Sequence, residues 1–365
     1  MVNSLTNFFF SLIRLGLGIS QSLPFKEITD KEWNAILKMA HKQTMMGIMM
    51  DAINRLPDGI SRPPKDISMK LVKMGVNMER FNRMINLKAV DMTSFFNEKG
   101  MDAVLLKGQG LAALYPNPLH RSPGDIDLWV DGDRKILMPI CNKELKGEEF
   151  TYHHIDVILS DGIELEVHTT PSWMYAYHRN SALQRMFRKW IKDAKYIELP
   201  GGAGRVKVPS DEMNRVYLMV HLYRHVFSEG IGLRQMADYA VFLSKGCTEE
   251  DKAIAMEHLK ELNMTKFAGA VMYVMKVVFG LEDSCLLTVP DEKRGKILLQ
   301  TILDGGNFGK YDSSIDRSIK KDSAMSFITR NARNFRLIKE YPEEVIWGPA
   351  FKLWHFLWRI LNRNL

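Results

Sequence analysis

The sequence predicts an α+β protein with an α/β core, in which a small mixed β-sheet is flanked by helical regions at both ends of the chain. Apolar residues recur at helical spacing up to about residue 100 and again beyond residue 210. Between these regions, short apolar runs alternate with turns and short helical patterns, as in a sheet with helices packed on it. We therefore divide the chain into a helical region 1–100, a core 101–209 and a helical region 210–365.

The composition is that of an ordinary globular protein, with 46% hydrophobic and 25% charged residues in a chain of 365. No run reaches the roughly 18 apolar residues that span a bilayer. The stretch Phe8–Phe10 has no basic residues ahead of it and is followed by Arg14, so we interpret it as part of an amphipathic helix and not as a signal peptide. Three widely separated cysteines predict reduced thiols and a cytoplasmic location.

The N-terminal region reads as a series of helices. Asp30 is a suitable N-cap for the segment EWNAILKMAHKQ, and Pro57-Asp58-Gly59 ends the next helical segment. From Pro64 to Asn97 the spacing predicts one long amphipathic helix, with Gly100 as its C-cap.

The core is predicted to alternate between strands and helices. An Asp-Gly turn at 161–162 joins two alternating runs and predicts a hairpin, and the Gly-rich run 201–205 predicts a second turn. The predicted strands are 103–106, 125–130, 150–159 and 163–169, and the predicted helices lie near 111–115, 133–147 and 181–192.

Beyond residue 210 the pattern is helical again. Ser210 caps DEMNRVYLMVHLYRHVF, and further helices fit 233–243, 249–262, 265–278, 292–303 and 315–339. The aromatic, basic C-terminus allows two interpretations. Its tryptophans could lie on a membrane surface, or they could pack onto the helical body, which we prefer because buried aromatic side chains are the norm.

Positive charge is concentrated in one segment. Residues 293–339 hold 11 basic and four acidic residues, an excess equal to the formal charge of +7 of the whole chain. Such a run is either a solvated helical face or a surface for an anionic partner, such as nucleic acid, lipid headgroups or a phosphorylated substrate. Stacking aromatics are not interleaved with the charges in a nucleic-acid-binding pattern, which argues against sequence-specific recognition.

The carboxylates of the core point to a metal site. Asp125 and Asp127 alternate with Ile126 and Leu128, so they project from one face of a strand while the apolar residues face a core. In the following hairpin, Glu166 falls on the polar face of its strand. Three carboxylates brought together would suit Mg²⁺ or Mn²⁺, with an NTP supplying further oxygen ligands.

The preceding turn, Lys107-Gly108-Gln109-Gly110, is the candidate phosphate-binding element. Its glycines would let the backbone approach a triphosphate, and the following helix N-terminus would supply free N–H groups. Lys107 and Arg121 could neutralise phosphate charge.

Four further residues, on the helices after residue 210, are candidate substrate contacts. His221 and His225 are four apart on one helix, where packing or substrate contact is a better explanation than a metal site because the metalloprotease glutamate pattern is absent. Arg234 and Asp238 are also four apart and could form a simple ion pair.

The order of these parts resembles the polymerase-β-like nucleotidyltransferase superfamily. The segment LLKGQGLAALYP…R…GDIDLWV, the strand IELEVH and the segments HLYRH, LRQMADY and GGNFG are similar to an uncharacterised bacterial nucleotidyltransferase family. The resemblance implies that Asp125, Asp127 and Glu166 bind metal, that His168 is the histidine of the IELEVH strand and a possible substrate contact, and that Gln109 replaces the superfamily's serine.

The expected function is therefore metal-dependent transfer of a nucleoside monophosphate from an NTP to an acceptor, with release of pyrophosphate. Two alternatives remain at this stage: an interaction module that keeps the fold without turnover, in an antitoxin-like or assembly role, and nucleotidyl transfer to RNA. The sequence does not identify the acceptor, because one fold serves many acceptors.

Overall fold

The computed structural model describes residues 3–24, 27–312 and 324–361. Within these residues the helices are α1 (Ser4–Gly16), α2 (Asp30–Lys42), α3 (Met46–Asn54), α4 (Lys65–Glu98), α5 (Gly108–Ala112), α6 (Arg134–Glu144), α7 (Tyr177–Trp190), α8 (Asp211–Phe227), α9 (Leu233–Leu243), α10 (Glu249–Glu261), α11 (Thr265–Val274), α12 (Glu292–Gly305), α13 (Ala324–Phe335) and α14 (Pro342–Leu361).

Seven strands form one mixed sheet. They are β1 (Ala103–Leu106), β2 (Ile126–Val130), β3 (Gly147–Phe150), β4 (His154–Ile158), β5 (Glu164–His168), β6 (Lys195–Leu199) and β7 (Gly204–Val208). The strand order is β3-β4-β5-β2-β1-β7-β6. Two neighbouring pairs, β2 with β5 and β1 with β7, run parallel, and the other pairs are antiparallel.

The predicted fold class is confirmed, because a mixed sheet lies between two sets of helices. Local differences concern the start of α5, the strand β3 and the predicted strand 150–159, which is divided between the last residue of β3 and the strand β4. The chain turns at Lys107 with a positive φ of 46°, so α5 begins at Gly108, earlier than predicted, and it spans only five residues. Helix α6 ends at Glu144, and Gly147, where the helix was predicted to end, instead begins β3, which pairs with β4.

The sheet separates two apolar clusters. On one face, Ile126, Leu128 and Val130 pack with residues of α4 and α6. On the other face, Trp129 belongs to a larger cluster that includes residues of α7, α8 and α9. Because side chains alternate along a strand, Asp127 projects toward this second set of helices.

The N-terminal helices are integrated with the rest of the chain. Phe8, Phe9 and Phe10 of α1 are fully buried in the larger cluster. Helix α4 places Ile85 and Phe96 in the cluster beneath the sheet. The division of the chain at residues 100 and 210 stays a prediction.

Helix starts follow the capping residues closely. Ser210 caps α8 as predicted, with its hydroxyl accepting a hydrogen bond from the N–H of Met213. At α2 the cap is Thr29, one residue before the predicted Asp30, because Thr29 and Glu32 form a reciprocal capping box.

The C-terminal region follows the prediction in part. Trp354 and Trp358 make edge contacts with Tyr152, but Trp354 is still 44% exposed and Trp347 is 42% exposed. The predicted helix 315–339 lies partly outside the described residues, as do Arg317, Lys320 and Lys321 of the basic segment 293–339. Among the described residues, no helix has the length and apolar character needed to cross a membrane.

Candidate active site

The three predicted carboxylates come together at one end of the central strands. Strand register places Asp127 of β2 directly beside Glu166 of β5, and Asp125 immediately precedes β2. Carboxylate oxygens of Asp125, Asp127 and Glu166 all lie within 4.8 Å of one another. This arrangement provides a set of hard oxygen donors on one surface, which is the chemistry that Mg²⁺ prefers.

Lys107 closes one side of this cluster. Strand β1 ends at Leu106, which pairs with Asp127, so the next residue stands beside the carboxylates. The Lys107 Nζ lies 2.8 Å from Asp127 Oδ1. Burial opposes the charged lysine, but the attraction of Asp127 outweighs it and raises the pKa of Lys107 above its usual value.

The carboxylates have different protonation tendencies. Repulsion from Asp127, together with burial and Glu166, raises the pKa of Asp125 to about 7. Burial also disfavours ionisation of Asp127 and Glu166, but cationic neighbours outweigh it, and the pKa of each is lowered. Asp125 is therefore about half protonated near pH 7, and a divalent cation at the cluster would stabilise its ionised form. The oxygen donors of the three carboxylates and their negative charge therefore both fit a divalent cation.

His168 joins the cluster from β5. Its Nε2 lies 2.9 Å from Asp127 Oδ1 and 3.1 Å from Glu166 Oε2. Burial alone would lower the pKa of His168, but the hydrogen bonds to the two carboxylates raise it to about 9. At neutral pH the imidazolium and Lys107 together offset most of the carboxylate charge.

Strand β4 supplies residues that the sequence interpretation missed. His154 pairs in register with His168, and Asp156 pairs with Glu166, so both side chains stand on the carboxylate face. His153 lines the same cavity, with its ring 3.7 Å from the ring of Trp173. The sequence pattern that could have predicted them is the alternation His154-Ile155-Asp156. Across the predicted hairpin it lies opposite the similar alternation Glu166-Val167-His168.

The Lys107–Gly110 turn is divided between two environments. Lys107 and Gly108 line the cavity, but Gln109 and Gly110 are not among its lining residues. Gln109 is 2% exposed, and its Nε2 donates a hydrogen bond of 3.4 Å to the carbonyl of Asp125. Gly110 lies against β7, where a Cβ atom would come 3.0 Å from Val208. Both residues position the turn, and their predicted phosphate contacts stay predictions.

Arg121 is held in a buried ion pair. Its Nε and Nη2 each donate a 2.8 Å hydrogen bond to Asp238, and Tyr115 Oη donates a third bond to that carboxylate. Asp238 thus pairs with Arg121 and not with Arg234, the neighbour that helical spacing suggested. The reason is geometric, since two parallel N–H groups of Arg121 match the two carboxylate oxygens.

Arg234 is left without such a partner. Within the described residues, its guanidinium makes no hydrogen bond or ion pair, although it lines the cavity. Burial and the nearby charge of Arg121 lower its pKa. It lies so close to Gly124 that a Cβ there would come 2.4 Å from Arg234 Nη2. A partly buried cation that lines a cavity and makes no direct ion pair within the described residues is a candidate for binding an anionic ligand.

His221 and His225 line the cavity from α8. Their Nε2 atoms lie 3.1 Å apart. Burial and the charge of Lys107 lower the pKa of both, to about 3 for His225 and well below its usual value for His221. The pair is therefore neutral at pH 7 and offers hydrogen bonds without charge.

These groups surround one cavity of about 310 Å³ between the sheet and helices α8 and α9. The lining includes all the predicted site residues except Gln109 and Gly110. Carboxylates lie on the sheet side, and Arg234 with the two histidines lies on the helical side. The cavity thus combines a cation-binding surface with a facing surface suited to an anion.

A mixed sheet that carries such a carboxylate cluster is the arrangement that the resemblance to nucleotidyltransferases implied. A family model described as "Uncharacterised nucleotidyltransferase" matches residues 29–280. The chain belongs to this family, as its motifs had indicated, and it is a nucleotidyltransferase by membership. No curated protein matches the chain.

Solved structures show more distant similarity. An antigenic nucleotidyltransferase-like protein from Paracoccidioides brasiliensis is 12% identical, with 56% of this chain and 97% of that chain covered and a TM-score of 0.33. The Thermotoga maritima CCA-adding enzyme, solved with tRNA, is 12% identical, with 78% and 83% covered and a TM-score of 0.21. A CCA-adding enzyme solved with ATP is 13% identical, with 77% and 84% covered and a TM-score of 0.23. Similarities of this size do not bear on the substrate.

Proposed function

We propose that this protein transfers a nucleoside monophosphate from an NTP to an acceptor, with release of pyrophosphate, and that the reaction depends on Mg²⁺ or Mn²⁺. The observation that carries the proposal is the meeting of Asp125, Asp127 and Glu166 in a cavity whose opposite wall holds Arg234, an arginine that makes no ion pair with the described residues. An NTP with bound metal carries a cation that the carboxylates would bind and an anionic triphosphate that the arginine would bind.

In the proposed reaction, an acceptor oxygen attacks the α-phosphorus, and the bond to the oxygen that bridges the α- and β-phosphorus breaks. The acceptor's proton passes to a carboxylate of the cluster, and the electron pair of the broken bond leaves with pyrophosphate. Metal ions held by Asp125, Asp127 and Glu166 would neutralise charge on the attacking and leaving oxygens.

The protein's own cations have separate roles in this proposal. Arg234 would bind the triphosphate directly, because its guanidinium is available in the cavity. Lys107 would exchange its contact with Asp127 for a phosphate oxygen, since its Nζ stands at the edge of the carboxylate cluster. Arg121 would hold the loop that carries Asp125, while Asp238 keeps its guanidinium engaged.

The test is release of pyrophosphate from each NTP with Mg²⁺ or Mn²⁺, measured for the wild type, Asp127→Asn and Asp131→Asn. Asp131 follows the same strand but lies exposed outside the cavity, so its variant is the matched control. We expect Asp127→Asn to lose at least about 100-fold in rate, because the amide has no negative charge and keeps only one of the two oxygens, while Asp131→Asn stays near wild type.

Equal rates in the wild type and Asp127→Asn would overturn the proposal. A wild-type protein that neither binds an NTP nor gains thermal stability from an NTP with Mg²⁺ would instead support an interaction module without turnover.

A further inference from the structure

A second group of potential metal-binding atoms lies next to the oxygen cluster but differs from it in chemistry. His154, Glu166 and His168 each offer one donor atom, and these atoms all lie within 4.8 Å of one another. Strand register explains the grouping, since His154 and His168 are directly opposed on β4 and β5. Glu166 stands two residues before His168 on the same face.

The distances between donor atoms fit a bound ion. His154 Nδ1 is 3.5 Å from Glu166 Oε2, and His168 Nε2 is 3.1 Å from the same oxygen. Two ligands at about 2.1 Å from a zinc ion are about 3.4 Å apart at the tetrahedral angle. Both imidazoles thus stand at distances from the carboxylate that a bound ion would also give. His168 Nε2 is now hydrogen-bonded to the carboxylates of Asp127 and Glu166, so it would release its proton when the ion binds.

One of the three donor atoms, His154 Nδ1, has no hydrogen-bond partner within the described residues. This nitrogen is also buried. A buried polar atom without a partner is costly, which favours a ligand that would satisfy it. The other nitrogen, His154 Nε2, lies 3.2 Å from Asp156 Oδ1. A carboxylate on the outer nitrogen is the usual support for a metal-binding histidine, since it orients the ring and increases its basicity.

We propose that His154, Glu166 and His168 form a binding site for a divalent transition-metal ion of the zinc class. Imidazole nitrogen suits Zn²⁺ and its relatives better than Mg²⁺, which prefers oxygen. Three protein ligands leave a fourth position open for water or a substrate oxygen from the cavity. The site shares Glu166 with the oxygen cluster, and it does not require that the protein transfer nucleotides.

A second pair of histidines in the cavity is a less suitable site. His221 and His225 approach each other at 3.1 Å, but the described residues place no carboxylate in a metal-binding group with them. Two ligands alone hold zinc weakly compared with three. Variants of this pair therefore serve as controls for zinc bound elsewhere in the cavity.

The test uses full-length protein without a histidine tag, stripped with chelator and then titrated with Zn²⁺ in excess Mg²⁺ by equilibrium dialysis. Co²⁺ is the spectroscopic probe, because its visible absorption reports nitrogen ligands and low coordination number. We expect stoichiometric Zn²⁺ binding by the wild type and its loss in His154→Asn. Asp156→Asn should weaken binding about 10- to 100-fold through loss of ring orientation.

The controls separate this site from its neighbours. His221→Asn and Asp125→Asn should keep Zn²⁺ affinity, since neither residue is a proposed ligand. Thermal unfolding of each metal-free variant checks that it is folded. His154→Asn suits this test because the side chain of His154 is 13% exposed, compared with 3% for His168.

Unchanged Zn²⁺ affinity in His154→Asn, or loss of binding in His221→Asn, would overturn the proposal. Zinc binding that is displaced by Mg²⁺ would do the same. Pyrophosphate release without zinc binding would contradict this site alone, and zinc binding without pyrophosphate release would contradict only the proposed function.

Discussion

At the scale of single residues, Arg234 is the most informative side chain in the cavity. Its neighbour Arg121 is neutralised by Asp238, but within the described residues Arg234 has no anionic partner. Gly124 leaves room for the guanidinium, because any side chain there would meet it. The absence of a side chain at Gly124 thus gives the guanidinium of Arg234 access to the cavity.

Replacing Arg234 with alanine should weaken NTP binding. We expect the KM for NTP to rise about 10- to 100-fold, because a hydrogen bond between charged groups contributes about 1.5–3 kcal/mol. Steady-state pyrophosphate release measures the effect. Arg205→Ala is the matched control, since Arg205 pairs with Glu198 on the exposed β6–β7 hairpin.

Gly124→Ala provides a second test of the same contact. Its methyl group would displace Arg234 without removing the charge, so we expect a smaller rise in KM in the same direction. An unchanged KM in Arg234→Ala would show that the triphosphate binds elsewhere.

At the scale of elements, the loop between α5 and β2 is held from three sides. Asn82 of α4 donates hydrogen bonds to the carbonyls of Leu119 and Arg121. His120 contacts Asp51 of α3 at 2.7 Å. Asp238 of α9 binds the Arg121 side chain. Because Asp125 follows this loop, these contacts fix one carboxylate of the site from helices that are remote in sequence.

Asp238→Ala should destabilise the protein by about 3–5 kcal/mol, because it leaves the buried Arg121 without its counter-charge. Urea denaturation measures the free energy of unfolding. Asp211→Ala is the control, since the half-exposed pairs of Asp211 with Lys195 and Lys245 are worth at most about 1 kcal/mol. Similar losses in both variants would mean that the Arg121 pair does not stabilise the loop.

At the scale of the whole molecule, the sheet and the α8–α9 layer enclose the site between them. His221 and His225 lie in this layer contact, where burial keeps them neutral. Protonation of either histidine would therefore place a charge where the two layers pack against each other.

The free energy of unfolding should fall as the pH falls below about 6.5. In that range the unfolded chain protonates His225, while the folded protein does so only near its pKa of about 3. The contribution is fully present above pH 6.5 and is lost toward pH 3, by at most about 1.4 kcal/mol per pH unit. Urea denaturation at pH 7.5 and pH 5 measures the difference.

His225→Gln is the variant for this measurement, because it cannot titrate. It should lose less stability between the two pH values than the wild type does. Equal losses in the two proteins would show that His225 does not contribute to acid sensitivity.

The local features of the fold could be read from the sequence because they depend on neighbouring residues. Alternation along 125–130 predicted that Asp127 would face away from Leu128, and Ser210 predicted the start of α8. The Asp-Gly turn predicted the hairpin that carries Glu166. Periodicity and capping act over a few residues, so they are visible in the chain itself.

The environment of the site was decided only by tertiary structure. Arg121 pairs with Asp238, 117 positions away, where helical spacing had suggested Arg234. Asp156 and His154 join the site through pairing of β4 with β5, and α8 closes the cavity above them. The sequence by itself predicted which three carboxylates come together in the oxygen cluster. Which charges are neutralised, and which remain available for a ligand, depends on distances between remote segments that only packing sets.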